Sequence, residues 1–216
     1  MPGENTKKAA GGWIDISIPL KDNTAHWPGD TPFSYEVSAT KEQTGSVNIG
    51  KITMSTHLGT HIDAPFHFLN DGEKVSGLDL DVYIGQCRVV DASRFTVLSR
   101  ETLSSLPVEG TERLLIKTSV PNNYEQFPEK IPYITKDGAD YLGESGIRLA
   151  GLDVPSVDPL DSKELEAHHQ LYKNGIYILE NIMLDTVPPG DYELIALPLA
   201  IEEGDGSPVR AVIRPV

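Results

Sequence analysis

Three histidines and one aspartate lie close together in the segment His57–Phe68, which reads HLGTHIDAPFHF. The whole chain has six histidines, so half of them fall in this stretch. Imidazole nitrogens combined with a carboxylate oxygen are typical ligands of zinc and manganese ions. The segment therefore predicts a metal or catalytic site made of His57, His61, Asp63 and His67. The alternative is that these histidines are structural or solvated, as most isolated histidines are.

The residues around the motif argue against a helix. Gly59 lies between His57 and His61, and Pro65 follows closely, and neither glycine nor proline favours a helix interior. We predict instead a strand, a tight turn and a second extended segment. Residues two apart on an extended segment point to the same side, so His61 and Asp63 would face one point. The turn would fold His57 back toward that point.

A second pair of candidate residues lies later in the chain. A capping-box pattern at Asp161 precedes a predicted helix that carries His168 and stops at Gly175. The strand Ile176–Leu179 then leads to Glu180. Because the chain reverses at the glycine, helix and strand geometry can bring His168 and Glu180 together. Taken alone, His168 could cap the helix and Glu180 could form an ordinary ion pair.

Length and composition predict one compact domain over residues 12–216, preceded by a mobile tail over residues 1–11. Hydrophobic residues make up 39% of the chain, which is enough for a core. The formal net charge of −14 argues against nucleic acid or an anionic membrane as a partner.

Cysteine use and hydropathy predict a cytoplasmic protein. Cys87 is the single cysteine, which excludes an internal disulfide framework and fits a reducing compartment. The beginning of the sequence has no apolar core of signal-peptide length. No apolar run reaches the roughly 18 residues that a membrane-spanning helix needs.

Hydrophobic periodicity and turn residues predict a mixed, β-rich α/β architecture with a few short helices. The predicted strands are Trp13–Leu20, Phe33–Thr40, Ile49–Thr56, Gly85–Ala92, Arg113–Thr118, Leu149–Leu152, Ile176–Leu179, Glu193–Leu199 and Pro208–Ile213. The predicted helices are Val75–Tyr83, Thr102–Leu106, Thr135–Gly143 and the one that carries His168. The pattern shows no regular alternation of strand and helix, so βαβ units are not expected.

Trp27 precedes the turn residues Pro28-Gly29-Asp30 and therefore lies on a predicted loop. It could cap the edge of the core, or it could cover a flat substrate as an aromatic lid. The sequence leaves both interpretations open.

Several catalytic motifs are missing from the sequence. It has no GxSxG, which a serine nucleophile elbow requires, and no P-loop or GxGxxG for a nucleotide. The HExxH pattern of zincin-type proteases is also missing. Metal-assisted hydrolysis with water as the nucleophile remains as the best interpretation.

The pattern His57-x-Gly59-Thr60-His61-x-Asp63-x-Pro65-x-His67 resembles the signature of the cyclase family of metal-dependent hydrolases. Within that family, the segments HWPGDTPF, GLDVPSVDP, DYELIALPL and SPVRAVIRP resemble the bacterial kynurenine formamidases, or arylformamidases. Isatin hydrolases and other cyclic-amide hydrolases share the histidine motif. The resemblance implies a swivelling β/β/α domain that forms a homodimer or homotetramer.

The resemblance also implies roles for individual residues. Asp63 would bridge two metal ions, zinc in the first place and manganese as the alternative. The implied metal ligands are His57, His61, Asp63, His168 and Glu180. His67 would be the catalytic acid and base, and Trp27 would contact the aromatic part of the substrate. His169 stands beside His168, but the spacing to Glu180 favours His168 as the ligand.

The implied reaction is hydrolysis of N-formyl-L-kynurenine, a small aromatic amide, to L-kynurenine and formate. One alternative is a sister hydrolase that acts on isatin or another cyclic amide. An alternative of another class is a binding protein for a metal or small ligand without catalytic activity.

Overall fold

The structure is a computed structural model that describes residues 12–216, and the predicted tail over residues 1–11 lies outside them. Residues 12–216 contain thirteen strands and four α-helices. The strands are β1 (Ile14–Asp15), β2 (Ser34–Ala39), β3 (Ile49–Thr53), β4 (His61–Asp63), β5 (Ile84–Asp91), β6 (Val97–Leu98), β7 (Arg113–Lys117), β8 (Tyr133–Ile134), β9 (Leu149–Leu152), β10 (Tyr177–Glu180), β11 (Gly190–Ile195), β12 (Gly206–Pro208) and β13 (Val212–Pro215). The α-helices are α1 (Lys41–Thr44), α2 (Arg100–Ser104), α3 (Lys136–Glu144) and α4 (Glu166–Lys173). None of the helices in this described part of the chain is long and apolar enough to cross a bilayer.

Nine strands form one mixed sheet in the order β1-β13-β11-β5-β7-β9-β10-β4-β12. The central strands β5, β7, β9 and β10 are parallel to one another, and α2, α3 and α4 lie on the connections between them. The prediction that helices and strands do not alternate was therefore wrong for this part of the chain. These helices have only five, nine and eight residues, too few for a strong 3.6-residue periodicity.

Two hydrophobic clusters cover the two faces of this sheet. Along β7, Leu114 and Ile116 pack with the helices on one face, whereas Leu115 packs in the opposite cluster. A strand buried on both faces is continuously apolar, which explains the sequence RLLIK of β7. Cys87 is buried in the cluster opposite the helices, and burial raises the pKa of its thiol to about 12.

The first predicted strand is much shorter than expected. Of Trp13–Leu20, only β1 is a strand, and Ser17 forms an isolated bridge with Ile182. The Ile16 backbone bonds to two different segments, because its N–H donates to Ala211 and its carbonyl accepts from Met183. These bonds satisfy the polar backbone groups of Ile16, although the segment does not pair with one neighbouring strand along its whole length.

Two other predicted elements are divided. The predicted helix Val75–Tyr83 is a pair of 3-10 turns, Val75–Gly77 and Leu80–Tyr83, because Asp79 caps the second turn by accepting from the Asp81 N–H. The predicted strand Pro208–Ile213 is wrong as a single element, since β12 and β13 pair with different neighbours.

Strands β2 and β3 form a hairpin that is separate from the nine-stranded sheet. The pairs Tyr35–Ile52 and Val37–Gly50 alternate with the pair Glu36–Lys51, so the hairpin has one apolar and one polar face. The apolar face lies in solvent, with Tyr35 56% and Ile52 59% exposed.

Candidate metal centre

Strand β4 carries the centre of the histidine motif. It lies between β10 and β12 and is completely buried. Strand alternation places Ile62 in the hydrophobic core and turns His61 and Asp63 to the other side. Glu180 is the Cα partner of His61 in the β4–β10 register. The sheet therefore brings Glu180 Oε2 to 3.4 Å from His61 Nε2.

His57 reaches the same point through a turn. Gly59 has φ +73°, a left-handed conformation that favours glycine. Thr60 anchors the turn, since its hydroxyl donates to the Asn181 carbonyl. His57 Nδ1 then lies 2.9 Å from Asp63 Oδ1. The predicted return of His57 toward the aspartate is present in the structure.

His168 enters from the first turn of α4. The predicted capping box at Asp161 was wrong, because α4 begins at Glu166 and its N-cap residue is Leu165, whose side chain forms no capping hydrogen bond. The carboxylate of Asp158 accepts from the backbone N–H groups of Ala167 and His168.

Asp158 also orients the imidazole of His168. Its Oδ2 lies 2.6 Å from His168 Nδ1, so Nε2 is turned toward the other ligand candidates. His168 Nε2 lies 3.4 Å from Asp63 Oδ2 and 3.9 Å from Glu180 Oε1. His168 is buried, whereas His169 is exposed beside the ring of Phe68.

His67 follows Pro65 in a short 3-10 turn and stacks on His57, with ring centroids 3.9 Å apart. Asp205 joins the two rings. Its Oδ2 lies 3.1 Å from His57 Nε2 and 3.7 Å from His67 Nδ1, and its Oδ1 accepts from the Thr56 hydroxyl. Sequence reasoning missed Asp205, which immediately precedes β12 in an acidic loop.

The carboxylates raise the pKa of the buried imidazoles. Burial opposes the charged form of His57, but hydrogen bonds with Asp205 and Asp63 outweigh it and raise the pKa to about 9. Burial also opposes the charged forms of His61 and His168, but the neighbouring carboxylates outweigh it and raise their pKa values to about 10.

The pKa values of the two buried carboxylates, Asp63 and Glu180, shift in opposite directions. Burial would raise the pKa of Asp63, but the neighbouring imidazoles of His168, His57 and His61 keep it well below its ordinary value. The pKa of Glu180 is raised, first by burial and then by the negative charge of Asp63. A positive charge placed next to Glu180 would therefore stabilise its ionised form.

The donor set fits a metal ion. Asp63 Oδ2 is buried and has no hydrogen-bond partner within residues 12–216, which is costly for a carboxylate oxygen. Asp63 belongs to two groups whose ligand atoms lie within 4.8 Å of one another, one with His57 and His67 and the other with His61 and Glu180. The arrangement supports a metal at this centre.

A cavity of about 910 Å³ opens beside the centre and includes His57, His61, His67 and His168 in its wall. Two loops form its outer wall, residues 25–30 and residues 119–130. The Ala25 N–H donates to the Tyr124 carbonyl and joins the two loops.

Trp27 lies in the wall of this cavity and does not cap the core. Its side chain is 40% exposed, and its ring meets that of Phe127 edge to face at 5.3 Å between centroids. Phe127 is a further cavity residue that sequence reasoning missed, because nothing in the sequence brings its loop to Trp27.

The family model for putative cyclases matches residues 14–159. This chain belongs to the cyclase family. This match confirms the predicted resemblance to the cyclase family of metal-dependent hydrolases. Kynurenine formamidases from Bacillus species are also similar to this chain. The Bacillus cereus protein is 64% identical over 204 residues, which cover 94% of this chain and 98% of that relative. The Bacillus cytotoxicus protein is 62% identical over the same shares.

Solved structures share the cyclase-family fold along nearly the whole chain. A potential metal-dependent hydrolase with cyclase activity has a TM-score of 0.80 at 24% identity, covering 93% of this chain and 96% of that chain. Isatin hydrolase A from Labrenzia aggregata has a TM-score of 0.78 at 23% identity, covering 94% and 93%. At these identities the likeness concerns the fold, and it confirms the predicted β-rich α/β architecture.

Proposed function

We propose that this protein is a metal-dependent arylformamidase that hydrolyses N-formyl-L-kynurenine to L-kynurenine and formate. The proposal rests on the 64% identity to the kynurenine formamidase of Bacillus cereus over 94% of this chain. The isatin hydrolases share the fold at less than 25% identity, so they give no specific support to a cyclic amide as substrate.

We assign two metal ions to the centre, and Asp63 would be among the residues that hold them. The two oxygens of Asp63 support this number, since Oδ1 lies 2.9 Å from His57 Nδ1 and Oδ2 lies 3.4 Å from His168 Nε2. The nitrogen and oxygen donors suit zinc, with manganese as the alternative. The proposed ligands are His57, His61, Asp63, His168 and Glu180. When bound, such ions supply a water that is activated near neutral pH and polarise the carbonyl oxygen of the substrate.

The protein groups around the ligands fix their orientation. The imidazole of His61 bonds through Nδ1 to the Gly59 carbonyl, which turns Nε2 toward Asp63 and Glu180. Glu180 Oε1 accepts from the Val157 N–H. Such partners hold ligand side chains in place before a metal binds, which favours affinity.

We assign His67 as the acid and base for the reaction. Its side chain is about one-third exposed at the cavity wall, unlike the buried His61 and His168. The arylamine that leaves the formyl group needs a proton, and an imidazole is suited to deliver it near pH 7. Asp205, 3.7 Å from Nδ1, supports this role because it can orient the ring toward the cavity.

We assign Trp27 and Phe127 to the aromatic ring of the substrate. Their edge-to-face pair leaves aromatic surface on the cavity wall. Aromatic rings favour offset or edge-to-face contacts with one another, so both residues could hold a planar aryl amide.

We propose a homodimer or homotetramer in the cytoplasm. The apolar face of the β2–β3 hairpin, with Tyr35, Val37 and Ile52 exposed, supports association with a second copy. The buried free thiol of Cys87 fits a reducing compartment.

Formate release from N-formyl-L-kynurenine tests the proposed function. We expect the purified protein to release formate, to lose activity after chelation, and to regain it with zinc or manganese. Isatin is assayed beside the formamide under the same conditions. Ring opening of isatin to isatinate, without formate release from the formamide, would indicate a cyclic-amide hydrolase, and bound metal without any hydrolysis would indicate a binding protein.

A further inference from the structure

The cavity contains a buried carboxylate that the proposed reaction does not use. Asp153 directly follows β9, is only 5% exposed and lines the cavity wall. Both of its oxygens accept from the Thr118 N–H, at 3.0 and 2.9 Å. No cationic side chain within residues 12–216 forms an ion pair with it. The carboxylate therefore faces the cavity without a positive partner from the protein.

The sheet register places Asp153 close to the metal centre. Leu179 of β10 is the partner of Gly151 of β9, and the Asn181 N–H donates to the Val154 carbonyl. Asp153 thus lies one strand away from Glu180, at a Cα separation of roughly 6 Å from the strand spacing and the rise per residue. Asp153 and Glu180 line the same cavity, so a small molecule held at the centre could extend to Asp153.

The electrostatic state of Asp153 favours a cationic ligand. Burial raises its pKa to about 7, against the backbone hydrogen bond from Thr118, and the nearby charge of Asp185 adds to the increase. A buried carboxylate is stabilised in its charged form when a cation lies next to it. The cavity wall near His67 consists of histidine side chains, whereas the wall at Asp153 carries a carboxylate.

We propose that Asp153 determines specificity by binding the α-ammonium group of the substrate. This inference rests on the proposed function, because N-formyl-L-kynurenine carries an ammonium group several bonds away from its formamide. With the formamide at the metal centre and the ring beside Trp27, the amino-acid end reaches toward Asp153. The carboxylate would then select amino-acid formamides over simple aryl formamides.

The test compares two substrates in metal-loaded wild-type enzyme and in Asp153→Asn. One substrate is N-formyl-L-kynurenine, and the other is ortho-formamidoacetophenone, which lacks the amino-acid end. We expect the ratio of their kcat/KM values to fall by roughly 10- to 100-fold in Asp153→Asn, mainly through KM, as for the loss of a charged hydrogen bond. Asparagine can still accept from Thr118, so the backbone contact is retained.

Asp185→Asn is the matched control. Asp185 lies near Asp153 but outside the cavity wall, and it accepts from the Asn122 N–H. The variant removes the same charge from the same region, so we expect the substrate ratio to stay within about twofold of wild type, as for most surface changes. An equal change of the ratio in both variants would overturn the inference, because the effect would then come from general electrostatics.

Other outcomes separate this inference from the proposed function. Equal losses on both substrates in Asp153→Asn would make Asp153 a structural residue and overturn the inference alone. Wild-type enzyme that hydrolyses neither formamide would overturn the proposed function, and the inference with it. A measurement without any variant uses the deamino analogue of N-formyl-L-kynurenine, for which wild-type kcat/KM is expected to be lower by the same factor as in Asp153→Asn. Equal wild-type values for the two compounds would overturn the inference.

Discussion

The metal centre and the β2–β3 hairpin both depart from the usual distribution of side chains, in which charged residues are exposed and apolar residues are buried. The centre buries charged residues such as Asp63 and Glu180, whereas the hairpin exposes apolar residues such as Tyr35 and Ile52. Each arrangement is unfavourable in an isolated chain, because buried charges lose hydration and exposed apolar surface orders water. Each region is therefore suited to a partner from outside, a cation in one case and, in the association proposed above, a second protein copy in the other.

The two regions differ in how firmly the chain holds them. The centre is built into the nine-stranded sheet, and carboxylates such as Asp158 and Asp205 orient its imidazoles. The hairpin pairs only with itself, and an isolated two-stranded hairpin is marginally stable in water. We infer that the metal site is formed before its ion arrives, whereas the hairpin would gain most of its order from the proposed second copy.

The largest expected effect comes from Asp63→Asn. Asp63 belongs to both ligand groups, so its loss removes a shared charged ligand. We expect metal content and formate release to fall together, by more than the roughly 10- to 100-fold typical of outer hydrogen-bond partners. Elemental analysis and a formate assay measure the two quantities. Full metal content with full activity would show that metal binding does not need the charge of Asp63.

His67→Ala separates catalysis from metal binding. We expect the variant to keep its metal and lose roughly 10²- to 10⁴-fold in kcat, because general acid–base catalysis contributes about that much. The measurement is kcat together with metal content per subunit. Loss of metal in parallel with activity would assign His67 to the ligand group that it shares with His57 and Asp63.

Asp205→Asn tests whether orientation of the imidazoles matters. The change weakens the contacts with His57 and His67, so we expect kcat/KM to fall by about 10- to 100-fold. Glu203→Gln, in the same loop but paired with Lys74, is the matched control. A similar loss in both variants would assign the effect to the loop and not to the imidazoles.

Ile52→Glu tests the hairpin. The substitution places a charge on the apolar face beside Tyr35, so we expect self-association to weaken by roughly 10-fold or more. Sedimentation at several concentrations measures the change. Ser34→Glu, on the opposite face, should leave association intact. Equal behaviour of the two variants would argue against the apolar face as the contact surface.

The smallest expected effect is on the pH dependence of the metal-free protein. His57, His61 and His168 have folded pKa values raised to about 9 to 10, above the ordinary histidine value. Their contribution to stability is therefore complete below about pH 6.5 and is lost as the pH rises through 9 to 10. The urea midpoint of chelated protein should fall over this range. Metal-loaded protein should lack this fall, and an identical fall would contradict the assigned ligands.

The sequence predicted the part of the centre that is local. His57, His61 and Asp63 lie within one turn and one strand, so their convergence follows from backbone geometry alone. Asp205 and Asp158 could not be found in this way, because Asp205 reaches His57 across 148 residues and through the pairing of β12 with β4. A single sequence contains no signal for that pairing.

The fold was predictable to a similar extent. Most strands and the Thr135 cap of α3 could be identified, because alternation and capping are local patterns. The parallel order of β5, β7, β9 and β10 was missed, since short helices gave little periodicity. The apolar face of the hairpin was also missed, because Tyr35 and Ile52 face each other only after the strands pair.

The position of β4 in the sheet has a consequence for biosynthesis. The histidine motif leaves the ribosome early, but Thr60 bonds to Asn181, which follows 121 residues later, and β12 comes later still. Contacts of such long sequence separation form late in folding. A nascent chain that ends before α4 would carry the motif without His168 and Glu180. The proposed set of ligands is thus complete only after Glu180 has been synthesised.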